Sequence, residues 1–191
     1  MIVIIGAGAL GSHVAMILRN IEKQTLKVVD FDKVEQKNIQ AQFHTKMGLR
    51  RNKAQALAQA MQGMFDVKIE AVPHKLTADN ALEVIGGPDL LIDCTDNIKA
   101  RKLIATYADT QGIPCLHGAL SADGTFGRMM WSEEFTPDAE GEEGEATCEA
   151  GEALPFFVSV AAMIAIEAQR FLKTGKKISM QFTPTGAVRL T

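Results

Sequence analysis

Residues 2–11 read IVIIGAGALG, an apolar run that leads into three glycines within six residues. A short apolar run that ends at glycine predicts a buried strand, and the residues after it favour a helix. We expect Gly6 to turn the chain tightly out of the strand and Gly8 to let backbone N–H groups approach a phosphate. Gly11 would let the helix pack close to the sheet. The stretch therefore predicts a strand–turn–helix unit whose helix N-terminus favours bound anions.

A second apolar run and an acid follow at the distance that a nucleotide-binding βαβ unit requires. Residues 26–29 read LKVV, and Asp30 comes directly after them. An acid at the carboxyl end of the second strand can accept hydrogen bonds from ribose hydroxyls. The sequence therefore predicts a nucleotide site formed by Gly6, Gly8, Leu10, Gly11 and Asp30.

The rest of the chain alternates between predicted strands and predicted helices. The strands are expected at 2–5, 26–30, 67–72, 90–93 and 114–117, and the helices at 10–21, 50–62, 78–85 and 97–112. This alternation implies a mostly parallel sheet with helices on both faces. A strand at 127–131 and a C-terminal antiparallel hairpin at 177–190 complete the prediction. We expect one Rossmann-like α/β domain over residues 1–191, with an irregular polar loop from Asp32 to Gly48.

Two segments near the C-terminus have unusual composition. Residues 136–150 are acidic and contain few apolar side chains, so they predict a mobile crossover loop within the domain. The stretch 154–172 is almost continuously apolar, which is typical of a buried helix. We expect this helix to pack under the sheet and against a second copy of the chain, giving a homodimer.

Composition and charge exclude several classes of protein. The formal net charge of −3 argues against a nucleic acid partner. We see no apolar stretch of the length that a membrane span needs, and no signal peptide, so we expect no membrane partner. The chain has three cysteines and no CxxC pair, which predicts no disulfide framework. A reduced, cytoplasmic location is the expectation.

Further motifs follow the glycine turn in a characteristic order. They are DFDKV at 30–34, NIQAQ at 38–42, Gly48 with Lys53, DCTDN at 93–97 with Arg101, HG at 117–118 and TCEAG at 147–151. Together they resemble the ThiF/MoeB/HesA family, the bacterial relatives of ubiquitin-activating enzymes. That family reads roughly D-x-D-x-V, N-L-x-R-Q, G-x-x-K and T-D-N-x-x-x-R in these places. The resemblance covers nearly the whole chain.

The resemblance implies an ATP-dependent adenylyltransferase. In such enzymes the C-terminal carboxylate of a ubiquitin-like or sulfur-carrier protein attacks the α-phosphate of ATP, with Mg²⁺ present. The positions implied for nucleotide contact, besides the glycine turn and Asp30, are Asp32, Asn38, Gln42, Lys53, Asp96 and Asn97. Lys53 would contact the triphosphate, and Asp96 would hold Mg²⁺ near the phosphates. The alternatives are a solvated helix lysine at position 53 and a helix N-cap at position 96.

Three further positions qualify this implication. Ala41 stands where the family has an arginine, whose charge Arg50 or Arg51 could replace. Cys148 matches a family cysteine that some relatives use for sulfur transfer, although its acidic neighbours disfavour a thiolate. His117 ends a predicted strand and either lines the pocket or forms a hydrogen bond in the core.

Relatives in this family commonly bind a structural zinc ion through two CxxC pairs. Neither pair is present in the sequence, so we expect no structural zinc. Two other functions remain open. One is an NAD-dependent oxidoreductase with the same first βαβ unit, although no catalytic Lys/Tyr pair supports it. The other is a non-catalytic dimeric scaffold that keeps the nucleotide pocket, which the alanine at position 41 favours.

Overall fold

The computed structural model describes residues 1–121, 123–135 and 151–190. Its strands are β1 (Ile2–Ile5), β2 (Leu26–Val29), β3 (Ile69–Val72), β4 (Leu90–Asp93), β5 (Cys115–Leu120), β6 (Gly127–Trp131), β7 (Met180–Thr183) and β8 (Gly186–Arg189). Its helices are α1 (Ala9–Ile17), α2 (Lys53–Phe65), α3 (Ala81–Ile85), α4 (Ile98–Gln111) and α5 (Leu154–Thr174). The predicted acidic loop at 136–150 lies outside the described residues.

All of these strands join one sheet, in the order β3-β2-β1-β4-β5-β6-β7-β8. Strands β1 to β5 pair in parallel, whereas β6, β7 and β8 pair antiparallel at one end. The predicted α/β fold, with a mostly parallel sheet and a C-terminal hairpin, is confirmed. The hairpin extends the same sheet, because β6 pairs antiparallel with β5 along one edge and with β7 along the other.

Helices cover both faces of the parallel part of the sheet. Side chains alternate between faces along a strand, so Ile2 and Ile4 pack with α1, α2 and α5, while Val3 and Ile5 pack with α3 and α4. β1 is buried along its whole length, as its unbroken apolar run predicts. The glycine turn therefore starts from a strand that has packed helices on either side.

The apolar helix α5 lies in the core and also reaches the surface. It packs against α1 and contains eight buried residues, among them Phe157 at 0% exposure. Ile166 on its outer side is 54% exposed. By length and composition alone, residues 151–174 could cross a membrane, which corrects our expectation that no apolar stretch is long enough. In the protein, 44% of the most apolar part of this segment is buried, and core helices of soluble proteins can be equally long and apolar.

The segment between β2 and α2 is more ordered than the sequence indicates. Instead of an irregular loop it contains 3₁₀ helices at Gln36–Gln40 and Lys46–Gly48. The first begins with a capping box, in which Asn38 Oδ1 accepts the N–H of Glu35. Such short caps leave no periodic apolar signal in a sequence, so the order of this segment was not predictable.

Candidate functional site

The predicted nucleotide site lies at the point where the strand order changes direction. β1 pairs with β2 on one side and with β4 on the other, so the chain crosses over in opposite senses from β1. The N–H of Cys94 donates to the carbonyl of Ile5 at 2.8 Å, which joins the turn after β4 to the turn after β1. Open α/β sheets bind their ligands in this crevice, beyond the carboxyl ends of the strands.

Two of the three glycines in the turn are required by sterics. Gly6 has φ of +95°, and a Cβ there would lie 2.9 Å from the carbonyl oxygen of Cys94. A Cβ on Gly11 would lie 1.9 Å from the carbonyl oxygen of Gly6, which is a severe overlap with backbone. Both glycines therefore permit close packing of the turn, as the sequence predicts.

Gly8 has a different environment. Its φ of −80° suits any L-residue, and an added Cβ would meet no atom of the described residues within 4 Å. It is also the N-cap of α1, without a side-chain cap. Among the described residues, none fills the space beside the Gly8 Cα, and a bound phosphate could approach the backbone there. Leu10, also predicted for this site, is 5% exposed and its side chain packs in the core.

Asp30 holds the turn through its side chain. One carboxylate oxygen accepts the N–H of Ala7 at 2.7 Å, and the other accepts the N–H of Asp32 at 2.8 Å. Burial raises the pKa of this carboxyl, although the hydrogen bond from Ala7 opposes the shift. Each oxygen keeps a further lone pair, so the carboxylate can still accept a ribose hydroxyl.

Asn52 belongs to the same group, and sequence reasoning missed it. Its Nδ2 donates to the carbonyls of Asp30 and Asp32, while its Oδ1 accepts the N–H of Gln55 and so caps α2. The residue thus fixes the start of α2 against the end of β2. Asparagine is a common N-cap, and that preference was the one available signal.

Lys53 begins α2, and its side chain is only 12% exposed. Its ammonium lies 3.4 Å from the carboxylate of Asp32, which is a long and therefore weak ion pair. This burial makes the alternative of a solvated helix lysine wrong. The structure places a cation and an acid side by side at the edge of the glycine turn.

Asp96 lies in the turn after β4, and its neighbour caps the next helix. Asn97 Oδ1 accepts the N–H of Ala100 at 3.0 Å, so the alternative of an N-cap at Asp96 is wrong. Asp96 itself is exposed. The turn is held by Arg101, which donates to the carbonyls of Thr95 and Gly118. The predicted ligand role of Asn97 thus competes with a cap that already uses its side-chain oxygen.

His117 has the core role of the two that the sequence left open. Its Nδ1 contacts Asp93 at 2.8 Å, and its Nε2 contacts the hydroxyl of Ser132 at 2.8 Å. Serine, histidine and aspartate in this order resemble a hydrolase triad. However, His117 is 2% exposed and stacks under the ring of Phe135 at 4.0 Å, so a substrate carbonyl has no access. Asp93 instead orders the next turn by accepting the N–H and hydroxyl of Thr95.

The segment that contains the predicted Asn38 and Gln42 lies next to the glycine turn, which it contacts through His44. Asn38 is 4% exposed and caps its own 3₁₀ helix, so its side-chain oxygen is already engaged. Gln42 has a buried Oε1 without a hydrogen-bond partner among the described residues. Ala41 between them is 0% exposed and packs in the core. An arginine at position 41 would therefore place a long charged side chain in a filled core.

His44, in the same segment, contacts the glycine turn directly and was not singled out from the sequence. Its Nε2 lies 2.8 Å from the carbonyl oxygen of Ala7, and the residue is 7% exposed. Burial lowers its pKa from 6.5 to about 4, with smaller contributions from Lys53 and His13. Ser12 holds the preceding residue by accepting the N–H of Phe43 at 2.9 Å. Histidine at this position follows no spacing rule, so only the structure reveals it.

The cysteines and the metal predictions are tested only in part. Cys148 lies outside the described residues. Burial raises the thiol pKa values of Cys94 and Cys115, which disfavours a reactive thiolate at either position. In the described part of the chain, no group of three or more His, Cys, Asp or Glu side chains could hold a metal ion. The absence of zinc stays a prediction.

The glycine geometry predicts opposite effects for two alanine substitutions. Gly11→Ala should destabilise the fold severely, because its Cβ would overlap the Gly6 carbonyl. Gly8→Ala should leave the melting temperature within a few degrees of wild type, because its Cβ meets open space. Thermal unfolding followed by circular dichroism measures both. Equal loss of stability in the two variants would contradict this geometry.

The lowered pKa of His44 predicts acid sensitivity. The imidazole of His44 binds a proton less readily in the folded protein than in the unfolded chain. The free energy of unfolding is therefore unaffected by this group above pH 6.5 and decreases as the pH falls towards 4. The expected loss is about 2 kcal/mol at pH 5. His44→Phe should remove this part of the pH dependence. Urea unfolding of both proteins at pH 7.5 and pH 5 measures the difference, and parallel losses in both would contradict it.

Comparison with known proteins identifies a family and individual relatives. The ThiF family model matches residues 1–187. The SAMP-activating enzyme E1 of Haloferax volcanii is 35% identical over 121 residues, which cover 62% of this chain and 45% of that protein. The sulfur carrier protein adenylyltransferase of Thermus thermophilus is 34% identical over 121 residues, with the same coverage. The chain thus matches less than half the length of these relatives.

Solved structures share the fold at low sequence identity. The structure of Escherichia coli MccB with ATP matches with a TM-score of 0.78 and 14% identity, covering 100% of this chain and 63% of that one. The E. coli tRNA N6-threonylcarbamoyladenosine dehydratase TcdA, solved with AMP, matches with a TM-score of 0.68 and 17% identity. The match covers 92% of this chain and 87% of the TcdA chain. Since the family model matches residues 1–187, the chain belongs to the ThiF family.

Proposed function

We propose that this chain binds ATP at the glycine turn and adenylylates the C-terminal carboxylate of a ubiquitin-like or sulfur-carrier protein. The observation that carries the proposal is the space beside Gly8 that no described residue fills, at a helix N-terminus in the crevice between β1 and β4. Related proteins support it, since their names describe activation or adenylylation of such carriers. MccB and TcdA, which share the fold, were solved with ATP and AMP.

The side chains around the turn suit the parts of this nucleotide. The α1 N-terminus favours the phosphates, because its backbone N–H groups and dipole attract negative charge. Asp30 suits the ribose hydroxyls, since its carboxylate retains acceptor capacity after binding Ala7 and Asp32. Lys53 suits the triphosphate. Its ion pair with Asp32 is long, so little is lost when the ammonium turns towards phosphate oxygens.

Asp96 is the residue that we propose for Mg²⁺. Magnesium in nucleotide sites is usually held by one or two carboxylates together with phosphate oxygens and water, so a preformed protein cage is not required. The exposed carboxylate of Asp96, freed from capping by Asn97, fits that requirement. When bound, the ion would neutralise phosphate charge.

The proposed reaction is an in-line displacement at the α-phosphorus of ATP. A carboxylate oxygen of the carrier forms the new P–O bond, the bond to the bridging oxygen of the β-phosphate breaks, and pyrophosphate leaves with that electron pair. The protein contributes mainly position and positive charge, as in other phosphate-transfer sites. The helix N-terminus at Gly8 and the ammonium of Lys53 supply those contributions here.

One observation favours a second candidate, a nucleotide-binding scaffold without catalysis. Ala41 replaces the family arginine, and its methyl group is fully buried. Arg51, a possible substitute, donates to Gln59 on α2 and is already engaged. If no other cation serves the phosphates besides Lys53, nucleotide binding would persist while adenylylation would be slow.

Substitutions at the two charged residues test the proposal. Lys53→Ala and Asp96→Asn should each lower carrier-dependent ATP–pyrophosphate exchange by about a hundredfold or more, because each removes charge complementary to the phosphates. Gly8→Ala should weaken ATP binding while the fold is kept. The matched controls are Lys46→Ala and Asp79→Asn, which alter exposed residues of the same type elsewhere.

The same measurements separate the competing functions. A small ubiquitin-like protein ending in Gly-Gly serves as the carrier in the exchange assay. Wild-type protein that binds ATP in calorimetry but shows exchange only at background would favour the scaffold. Tight binding of NAD without binding of ATP would favour the oxidoreductase and refute the proposed activity.

We also propose that the chain forms a homodimer through the outer side of α5, where Ile166 is 54% exposed. Large exposed apolar side chains on a partly buried helix are typical of association sites. Ile166→Glu should therefore give monomers in sedimentation at micromolar concentration. Leu82→Glu is the matched control, since Leu82 is 71% exposed on α3, which covers the other face of the sheet. A monomeric wild-type protein would refute the dimer.

A further inference from the structure

We infer that His44 is a positioning residue for nucleotide binding, because it fixes the orientation of the peptide group that presents the N–H of Gly8 to the phosphate. The inference rests on the proposed binding of ATP at the glycine turn. It assigns a role to a residue that lies outside the motifs quoted from the sequence. It concerns orientation alone, since His44 touches the protein backbone.

The first step concerns the two peptide groups that flank Ala7. The carboxylate of Asp30 accepts the N–H of Ala7 at 2.7 Å and so holds the Gly6–Ala7 peptide. The imidazole of His44 lies 2.8 Å from the carbonyl oxygen of Ala7 and so holds the Ala7–Gly8 peptide. Consecutive peptide planes in the turn are therefore each fixed by a side chain from a distant part of the sequence.

The second step follows from peptide geometry. A trans peptide is planar, and its C=O and N–H point in opposite directions. All described peptide bonds are trans, including that between Ala7 and Gly8. By holding the Ala7 carbonyl on the protein side, His44 thus directs the N–H of Gly8 away from itself. This N–H belongs to Gly8, where an added Cβ would meet no atom of the described residues within 4 Å.

The third step concerns the hydrogen on the ring. A carbonyl oxygen can only accept, so Nε2 of His44 must carry the hydrogen and Nδ1 must be an acceptor. Nδ1 is buried and has no hydrogen-bond partner among the described residues. The pKa of about 4 keeps the ring neutral at physiological pH. The charged or titratable groups acting on this ring are Lys53 and His13.

The lack of a partner for Nδ1 among the described residues is the reason that packing alone is a poor account of this histidine. Burying an acceptor without a partner costs stability. A phenylalanine of similar shape would fill the same volume and avoid that cost. The residue therefore provides something that packing does not, and the donor on Nε2 is the group that it adds.

The experiment compares four proteins by calorimetric titration with ATP and Mg²⁺, and by thermal unfolding. They are the wild type, His44→Phe, His44→Gln and His44→Leu. The phenylalanine keeps the ring shape without the donor, whereas the glutamine amide can reach the position of Nε2 and donate. We expect His44→Phe to melt at or above the wild-type temperature at pH 7.5 and to bind ATP about tenfold more weakly. His44→Gln should bind more tightly than His44→Leu, because both lack the ring and only glutamine donates.

Each result has one interpretation. Equal ATP affinity in wild type and His44→Phe would overturn the inference while leaving ATP binding intact. Glutamine that binds no better than leucine would also overturn it, and this comparison holds even if the phenylalanine variant is poorly folded. A wild-type protein that binds no ATP would instead refute the proposed function, and the role of His44 with it.

Discussion

The close approach of α1 to β1 is the constraint on which the whole site depends. The first turn of the helix lies so near the end of the strand that a Cβ at position 11 would come within 1.9 Å of the Gly6 carbonyl. Because glycine permits this close contact, the N-terminus of α1 can lie at the crevice. That placement brings Gly8 to the crevice, where a helix N-terminus favours a bound anion.

Hydrogen bonds from distant segments then hold the turn in one conformation. Asp30 contacts Ala7 from the end of β2, and His44 contacts it from the segment that follows. Asn52 ties the start of α2 to the carbonyl of Asp30. Arg101 holds the turn after β4 by donating hydrogen bonds to the carbonyls of Thr95 and Gly118. A site built in this way is ordered before its ligand arrives, which lowers the entropic cost of binding.

The sequence predicted the parts of this arrangement that are local in the chain. The glycine turn and Asp30 follow from spacing, because strand, turn and helix are consecutive and each has a periodic pattern. The N-cap after β4 was harder, since Asp96 and Asn97 are adjacent and equally suited to capping; the structure gives that role to Asn97. His44 was out of reach, because its contact depends on tertiary folding across 37 residues and leaves no trace in spacing.

The burial of Ala41 has a consequence for engineering the chain. Its methyl group is 0% exposed and packs among core side chains, in an interior that is close-packed. A single replacement by arginine would overpack that region. A design that adds positive charge at position 41 therefore has to change the packing neighbours of Ala41 at the same time.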